Sequence, residues 1–271
     1  MRELEPIVPD NVIDLLPARF PVIGGAVILQ LKRELYSYKK EIAEVILKYL
    51  KTSRSVWLKT GKTEGVFREP RMECIAGDCN PIVLHKEENT FFILDISRLT
   101  FSPGNAGERK KLTRIIKTNE VIVDMFACCG NLSMPIAVNS KPRLVIGIEI
   151  NPYAYSFLLE NIRLNKVNDR YIAILGDNRF STPENIADHV IMGYFNIDES
   201  QLTAGVKALR KDGGTIHLHY LSNRLNELDG LKKYLDYLKK YRIHFEVKDI
   251  DKVKSYAPNI NHYVARIMIN K

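Results

Sequence analysis

The order of apolar and polar positions changes character partway along the chain, and the two styles predict two kinds of structure. In "SYKKEIAEVILKYL", Ile42, Val45, Ile46, Tyr49 and Leu50 recur at helical spacing and share one face. Before it, a turn around Pro17 and Pro21 leads into an apolar strand over 26–31. After it, "SVWLKTG", "MECIAG" and "PIVLHKEENTFFILDI" read as short strands separated by Gly, Asn and charged turns. Residues 1–97 are therefore expected to form a small α+β domain.

Beyond it, "FSPGNAGERKKLTRII" opens on Pro-Gly and continues as a basic helix, and strands and helices then alternate. "EVIVDMF", "RLVIGIEI", "YIAILGDN", "HVIMGYF" and "TIHLHYLS" are strands, with "NLSMPIAVN", "PYAYSFLLENIRLN" and "ESQLTAGVKALRKDGG" as helices among them. Strands that are apolar on both faces suit a parallel sheet covered on both sides by helices. Residues 98–271 are predicted to be an α/β, Rossmann-like domain, closed by a pair of antiparallel strands in "FEVKDIDKVKSYAPNINHYVARIMI".

Composition narrows the class without choosing the chemistry. The 271 residues are 45% hydrophobic, ordinary for a globular protein. There is no apolar run long enough to span a bilayer, and "MRELEPIVPDN" lacks a signal-peptide layout, so a cytoplasmic protein is expected. A net charge of +8 favours a polyanionic partner and fits a solvated basic face equally well. Cys74, Cys79, Cys128 and Cys129 contain no CxxC pair; they are expected to be small buried side chains rather than a disulfide framework or a metal or redox pair.

In an open α/β sheet, ligands collect beyond the carboxyl ends of the strands. Three consecutive strand ends carry polar residues there: Asp124, Glu149, and the pair Asp177 and Asn178. Glu149 can accept two ribose hydroxyls, and Asp177 with Asn178 can hold an adenine edge, the carboxylate accepting from the amine and an amide or backbone N–H donating to a ring nitrogen. Any one of them could equally be a helix cap; three in register favour an adenosine pocket. A dinucleotide would need GxGxxG after the first strand to cradle its pyrophosphate, whereas "VDMFACCGNL" has a single glycine. A cofactor without phosphates needs no cradle, and S-adenosylmethionine fits.

"VDMFACCGNLSMPIA", "IGIEINPYAYSFLLENIRLNKV", "GDNR" and "ADHVIMGY", with "GVFREPRMECIAGD" and "KSYAPNINHYVARI", together resemble class I S-adenosylmethionine enzymes that act on the guanosine 3′ of the tRNA anticodon. That group includes the tRNA guanosine-37 N1-methyltransferases and the archaeal-type wybutosine-synthesis aminocarboxypropyltransferases. The methyltransferase branch has an Asn-Pro-Pro-Tyr or Asn-Leu-Pro stretch after the fourth strand and "SPR" upstream. This chain has Met192-Gly193-Tyr194-Phe195 and Ser102-Pro103-Gly104-Asn105. Both departures resemble the aminocarboxypropyltransferase branch. The resemblance implies transfer of the 3-amino-3-carboxypropyl group of S-adenosylmethionine to carbon 7 of a tricyclic guanosine derivative at tRNA position 37. It implies no metal and no obligatory protein partner.

With that resemblance, Ser102 and Arg109 are expected at the cofactor, Arg109 clamping its carboxylate. No general base is assigned, and Tyr194 is a candidate for stacking on the base. His217 and His219 share a strand face, more simply a substrate-facing or packed pair than a metal pair. Arg54, Lys59, Lys62, Arg68 and Arg71, with the "ERKKLTR" helix, are expected to meet RNA phosphates if they share a face. An N1-methyltransferase on the same position and an idle tRNA-binding relative are the alternatives, the latter suggested by Cys128 standing where glycine is usual.

Overall fold

A computed structural model describes residues 8–271. The chain divides into two compact units, residues 1–87 with 91–103 and residues 88–90 with 104–271.

The first unit contains α1 (Asp10–Ile13), β1 (Val22–Ile23), β2 (Ala26–Leu29), α2 (Lys39–Tyr49), β3 (Ser55–Lys59), β4 (Met72–Gly77), β5 (Ile82–Glu87) and most of β6 (Thr90–Asp95). β1 to β4 form a sheet in sequence order, with β2 and β3 parallel and the other pairings antiparallel. Most of the apolar face read in α2 packs: Ile42 and Ala43 are buried with Leu29, Leu35, Val56 and Leu58, and Val45, Ile46 and Leu50 lie against them, whereas Tyr49 is exposed. Cys74 and Cys79 form a disulfide, which corrects the expectation of free buried thiols. The strand end and the turn at Gly77 (φ +80°) bring two cysteines five apart in sequence to a Cα separation of 5.6 Å, within bonding range.

The second unit holds α3 (Ala106–Ile115), β7 (Val121–Asp124), α4 (Ser133–Asn139), β8 (Leu144–Glu149), α5 (Pro152–Leu164), β9 (Tyr171–Leu175), α6 (Asn178–Ser181), β10 (His189–Met192), α7 (Glu199–Ala208), β11 (Gly214–Asn223), α8 (Asp229–Lys240), β12 (His244–Ala257) and β13 (Ile260–Asn270). Its sheet runs β12-β13-β11-β10-β7-β8-β9, with β7 to β11 parallel and β12 and β13 antiparallel. This is the doubly wound arrangement with a closing antiparallel pair that the alternation predicted. The strand apolarity has the expected cause: every residue of β7 and β10 is buried, with helices over both faces. Local signals set the helix starts. Asn151 accepts from Tyr153 N and Pro152 follows at the first helical position of α5. Asp198 and Gln201 form a reciprocal capping box on α7. Strand order reverses between β7 and β10, so the crevice at their carboxyl ends is where a ligand belongs.

Candidate functional site

The loop after β7, residues 125–132, is held at its shape by side chains from three neighbouring elements. The Cys128 backbone N–H donates to Glu149 Oε2 at 2.7 Å, Asn161 Nδ2 on α5 donates to Cys129 O at 3.0 Å, and Asn178 Nδ2 donates to Met125 O at 2.7 Å. Ala127 N bonds to Ile148 O, tying the loop to β8. Cys128 sits at φ +50° and Gly130 at +92°, both left-handed. Glycine adopts that region freely and cysteine at a cost, so the loop keeps at Cys128 a conformation its residue disfavours. The Cys128 thiol is held well above its usual range, first by its hydrogen bond with Cys129 and then by desolvation, so it is not a reactive thiolate.

Beneath the loop lies Asp124, fully buried. It accepts from Phe126 N at 3.1 Å and from Ser133 Oγ at 2.7 Å, and the Ser133 hydroxyl also meets the Tyr171 hydroxyl at 2.7 Å. Burial pushes the Asp124 carboxyl up to about 6 against these bonds. Asp124 therefore braces the turn from inside.

Glu149, at the end of β8, faces the loop from outside. Its Oε1 accepts from Asn151 N at 2.8 Å and its Oε2 from Cys128 N at 2.7 Å. One backbone bond per oxygen leaves each a further lone pair, so two vicinal hydroxyls fit the remaining capacity. Next to it, the buried amide Nδ2 of Asn151 has no protein partner, and Ile150 exposes an apolar surface for a flat ring. These donors and acceptors suit an adenosine without phosphates. Burial raises Glu149 from its ordinary range while the Asn151 and Cys128 N–H groups draw it back.

At the end of β9, Asp177 caps α6 and accepts from Arg179 N at 3.0 Å and Arg179 Nη2 at 2.7 Å; the arginine bonds hold its carboxyl below the usual range. Gly176 N donates to Glu149 O at 2.9 Å, which brings the two strand ends together. The Asn178 amide is occupied on both sides, donating to Met125 O and accepting from Gln201 Nε2 at 3.2 Å. A contact from Asn178 to an adenine ring would therefore fall to its backbone N–H.

The remaining expected residues are more scattered. Ser102 lies in the first unit and Arg109 in α3 of the second, where it is buried with Glu108 and Leu112. The "ERKKLTR" helix is not a uniform basic face. Lys111 pairs with Asp251, Lys110 is exposed and pairs with Glu88, and Arg114 is exposed. His217 and His219 belong to two separate pairs: His217 Nε2 meets His189 Nδ1 at 3.0 Å, and His219 Nδ1 meets His262 Nε2 at 2.9 Å. The Tyr194 ring packs at a tilt of 31° against Phe126, ring centroids 5.4 Å apart.

Asn161, buried on the apolar face of α5, escaped the sequence reading; a lone amide on a packed face was the available signal. The ion cluster of Arg266 with Glu108, Asp249 and Asp251 had no local signal, since Glu108 and Arg266 are 158 residues apart.

Two family models match the chain, the TRM5/TYW2 methyltransferase domain over residues 83–248 and the TYW2 N-terminal domain over residues 2–80. The chain is 37% identical over 264 residues to the tRNA(Phe) (4-demethylwyosine(37)-C(7)) aminocarboxypropyltransferase of Pyrococcus horikoshii, covering 97% of this chain and 93% of that protein. The crystal structure of P. horikoshii TYW2 in complex with MeSAdo superposes with a TM-score of 0.84 at 35% identity, covering 100% of this chain and 97% of that one. The complex of aTrm5 with tRNALeu superposes with a TM-score of 0.86 at 29% identity, over 96% and 75% of the two chains.

Proposed function

The chain belongs to the TRM5/TYW2 methyltransferase family, and from that premise we propose that it transfers the 3-amino-3-carboxypropyl group of S-adenosylmethionine to carbon 7 of a tricyclic, wyosine-type guanosine at tRNA position 37. Methylthioadenosine is the co-product. The observation that carries this reading is the near full-length similarity to an aminocarboxypropyltransferase, extending through a TYW2-type N-terminal domain. The stretch after β10 agrees with it: Met192-Gly193-Tyr194-Phe195 offers no asparagine amide, and a Cβ at Gly193 would come within 2.9 Å of Leu132 Cδ1.

Bound S-adenosylmethionine supplies a sulfonium with three activated carbons, and orientation decides which one is transferred. Glu149 accepts the ribose hydroxyls, and loop 125–132 passes beneath without the glycines a pyrophosphate would demand. Asp177 and the Asn178 backbone address the adenine edge, and Arg109 holds the carboxylate of the transferred group. Exposed Arg54 and Lys62 in the first unit, and Lys110 and Arg114 in the second, are candidates for phosphate contacts of the anticodon arm. The enzyme acts in the cytoplasm without an obligatory protein partner; among the described residues no helix is long and apolar enough to cross a membrane.

The test uses cofactor labelled either in the methyl group or in the carboxyl carbon, with matching undermodified tRNA. Carboxyl label entering tRNA is the expected result. Methyl label alone would reassign the protein as an N1-methyltransferase, and neither label, with tRNA still bound, would make it an idle binder.

A further inference from the structure

Carbon alkylation leaves a proton to be removed; near the loop, Asp124 is enclosed beneath it and Asp177 is held by Arg179. A second set of buried groups lies across the switch point. β10 ends at Met192, paired with Leu218, so His219 is the next residue along β11, level with the start of the 193–195 stretch. His262 on β13 pairs with Leu221 in register, and its ring meets His219 across the sheet face at 2.9 Å. The Phe195 ring packs edge-on against His262, centroids 4.8 Å apart, while the Tyr234 hydroxyl donates to Phe195 O and fixes that segment. Both histidines are 1% exposed.

Each of these rings keeps one buried nitrogen without a partner, His219 Nε2 and His262 Nδ1. Buried polar atoms are ordinarily satisfied, so an unmet pair at both ends of one hydrogen-bonded dyad is a built feature to be explained. In a neutral dyad one ring donates and the other accepts, which leaves one outer nitrogen bare and the other carrying N–H. A proton arriving at bare His262 Nδ1 shifts the bridging proton from His262 Nε2 to His219 Nδ1 and releases the one on His219 Nε2.

Resting on the functional reading above, we propose that the His219–His262 pair, lying under Phe195, accepts the proton lost from carbon 7 of the base, directly or through one water. In that step the base carbon bonds to the transferred carbon, and the carbon–sulfur bond breaks with its electron pair staying on sulfur. The C7–H pair returns to the ring, and the proton passes to His262 Nδ1. The positive charge of the sulfonium thus reappears on the imidazole pair. Two residues away on the same face of β11, His217 bonds to His189, and His189 Nε2 meets Glu120 Oε2 at 3.2 Å. That second pair runs to partly exposed Glu120, but His217 Nδ1 and His219 Nε2 each meet no hydrogen-bond partner among the described residues, so the step ends with the charge on the His219–His262 pair.

Burial holds both imidazoles neutral: His262 is brought down to about 3, with Lys254 adding to the effect, and His219 is lowered well below its usual value by burial and by His262 and Arg266. A neutral ring is free to accept, and the alkylated ring, still carrying its proton, is acidic enough to give it up to a weak base.

His262→Gln tests this, because a glutamine amide can meet His219 Nδ1 and cannot relay a proton; His219→Asn does the same from the other side. In single turnover with carboxyl-labelled cofactor, each variant should lose about 100-fold in rate, the usual scale of a positioned base, with cofactor and tRNA dissociation constants unchanged. tRNA deuterated at carbon 7 should then show a primary isotope effect in the variants that wild type lacks. Wild-type rate without an isotope effect in either variant overturns the proposal, as does loss of cofactor binding in both, which would make the pair purely structural. Failure of wild type itself to transfer carboxyl label would instead sink the functional reading.

Discussion

The two sides of the switch point solve the problem of buried polar groups in opposite ways. On the β7-β8 side, the Asp124 and Glu149 carboxylates are satisfied by backbone N–H groups of the loops after β7 and β8 and by one serine at the start of α4. On the β10-β11-β13 side, the buried groups are neutral histidines and an arginine whose charge is met by carboxylates from α3 and β12. The first solution leaves lone pairs for a ligand. The second meets the charge of Arg266 with carboxylates and leaves ring nitrogens, Arg266 Nε and the Tyr220 hydroxyl unmet. A cofactor site needs the former; a passage for protons can use the latter.

The two sides differ most at Arg266. It is 3% exposed and bonds both oxygens of Glu108, itself 4% exposed, at 3.0 and 3.1 Å. Arg266→Met should destabilise the protein by about 3–5 kcal/mol, because Glu108 is left buried without its partner; denaturant unfolding measures it. Burial already raises Glu108 to about 7 against the pull of Arg266, so in the variant Glu108 should take up a proton near neutral pH.

At the end of β8, Glu149→Ala removes the acceptor of the Cys128 and Asn151 backbone N–H groups and, on the proposed function, of the ribose. Cofactor affinity should fall about 100-fold, the value of one to two hydrogen bonds to a charged group, as read by calorimetry. Unchanged affinity would erase the contrast between the two sides.

Asp124 gives the β7 side a pH dependence of its own. Its folded value of about 6 lies above the ordinary 3.8, so the folded state binds the proton more tightly. The associated stability is present below about pH 4 and is lost as pH rises through about 6. Asp124→Asn keeps an acceptor for Phe126 N and a group for Ser133 Oγ. It should therefore gain on wild type as pH rises from 4 to 7, by about 2 kcal/mol, seen as a diverging Tm. A constant difference would mean Asp124 is not the titrating group.

The smallest effect is expected at Cys128. At φ +50°, Cys128→Gly relieves a left-handed cysteine and should stabilise by about 1 kcal/mol with cofactor binding unaltered. A loss of binding there would give the side chain a part that the geometry denies it.

These contrasts also separate what could be read from the chain alone. The positions of Glu149 and Asp177 at strand ends were legible because each follows an apolar run, but that Asp177 caps α6 and is held by Arg179 was not. Asn178 was legible as a position, but its amide faces inward to Met125 and Gln201, a direction that only the packed α7 reveals. His217 and His219 were seen to share a face, but their separate partners come from β10 and β13, which flank β11 only once the sheet is assembled. The disulfide was missed because cysteine count and spacing say nothing of whether a turn brings two Cα atoms to 5.6 Å.

The sequence by itself determined the alternation of elements, the faces they bury and the residue types that stand at the carboxyl edge, because periodicity and strand ends are local properties. Tertiary structure alone decided which of those groups meet. Arg266 reaches Glu108, and His262 reaches His219, through strand order and register, and the energy of a buried polar group depends on the partner it finds there.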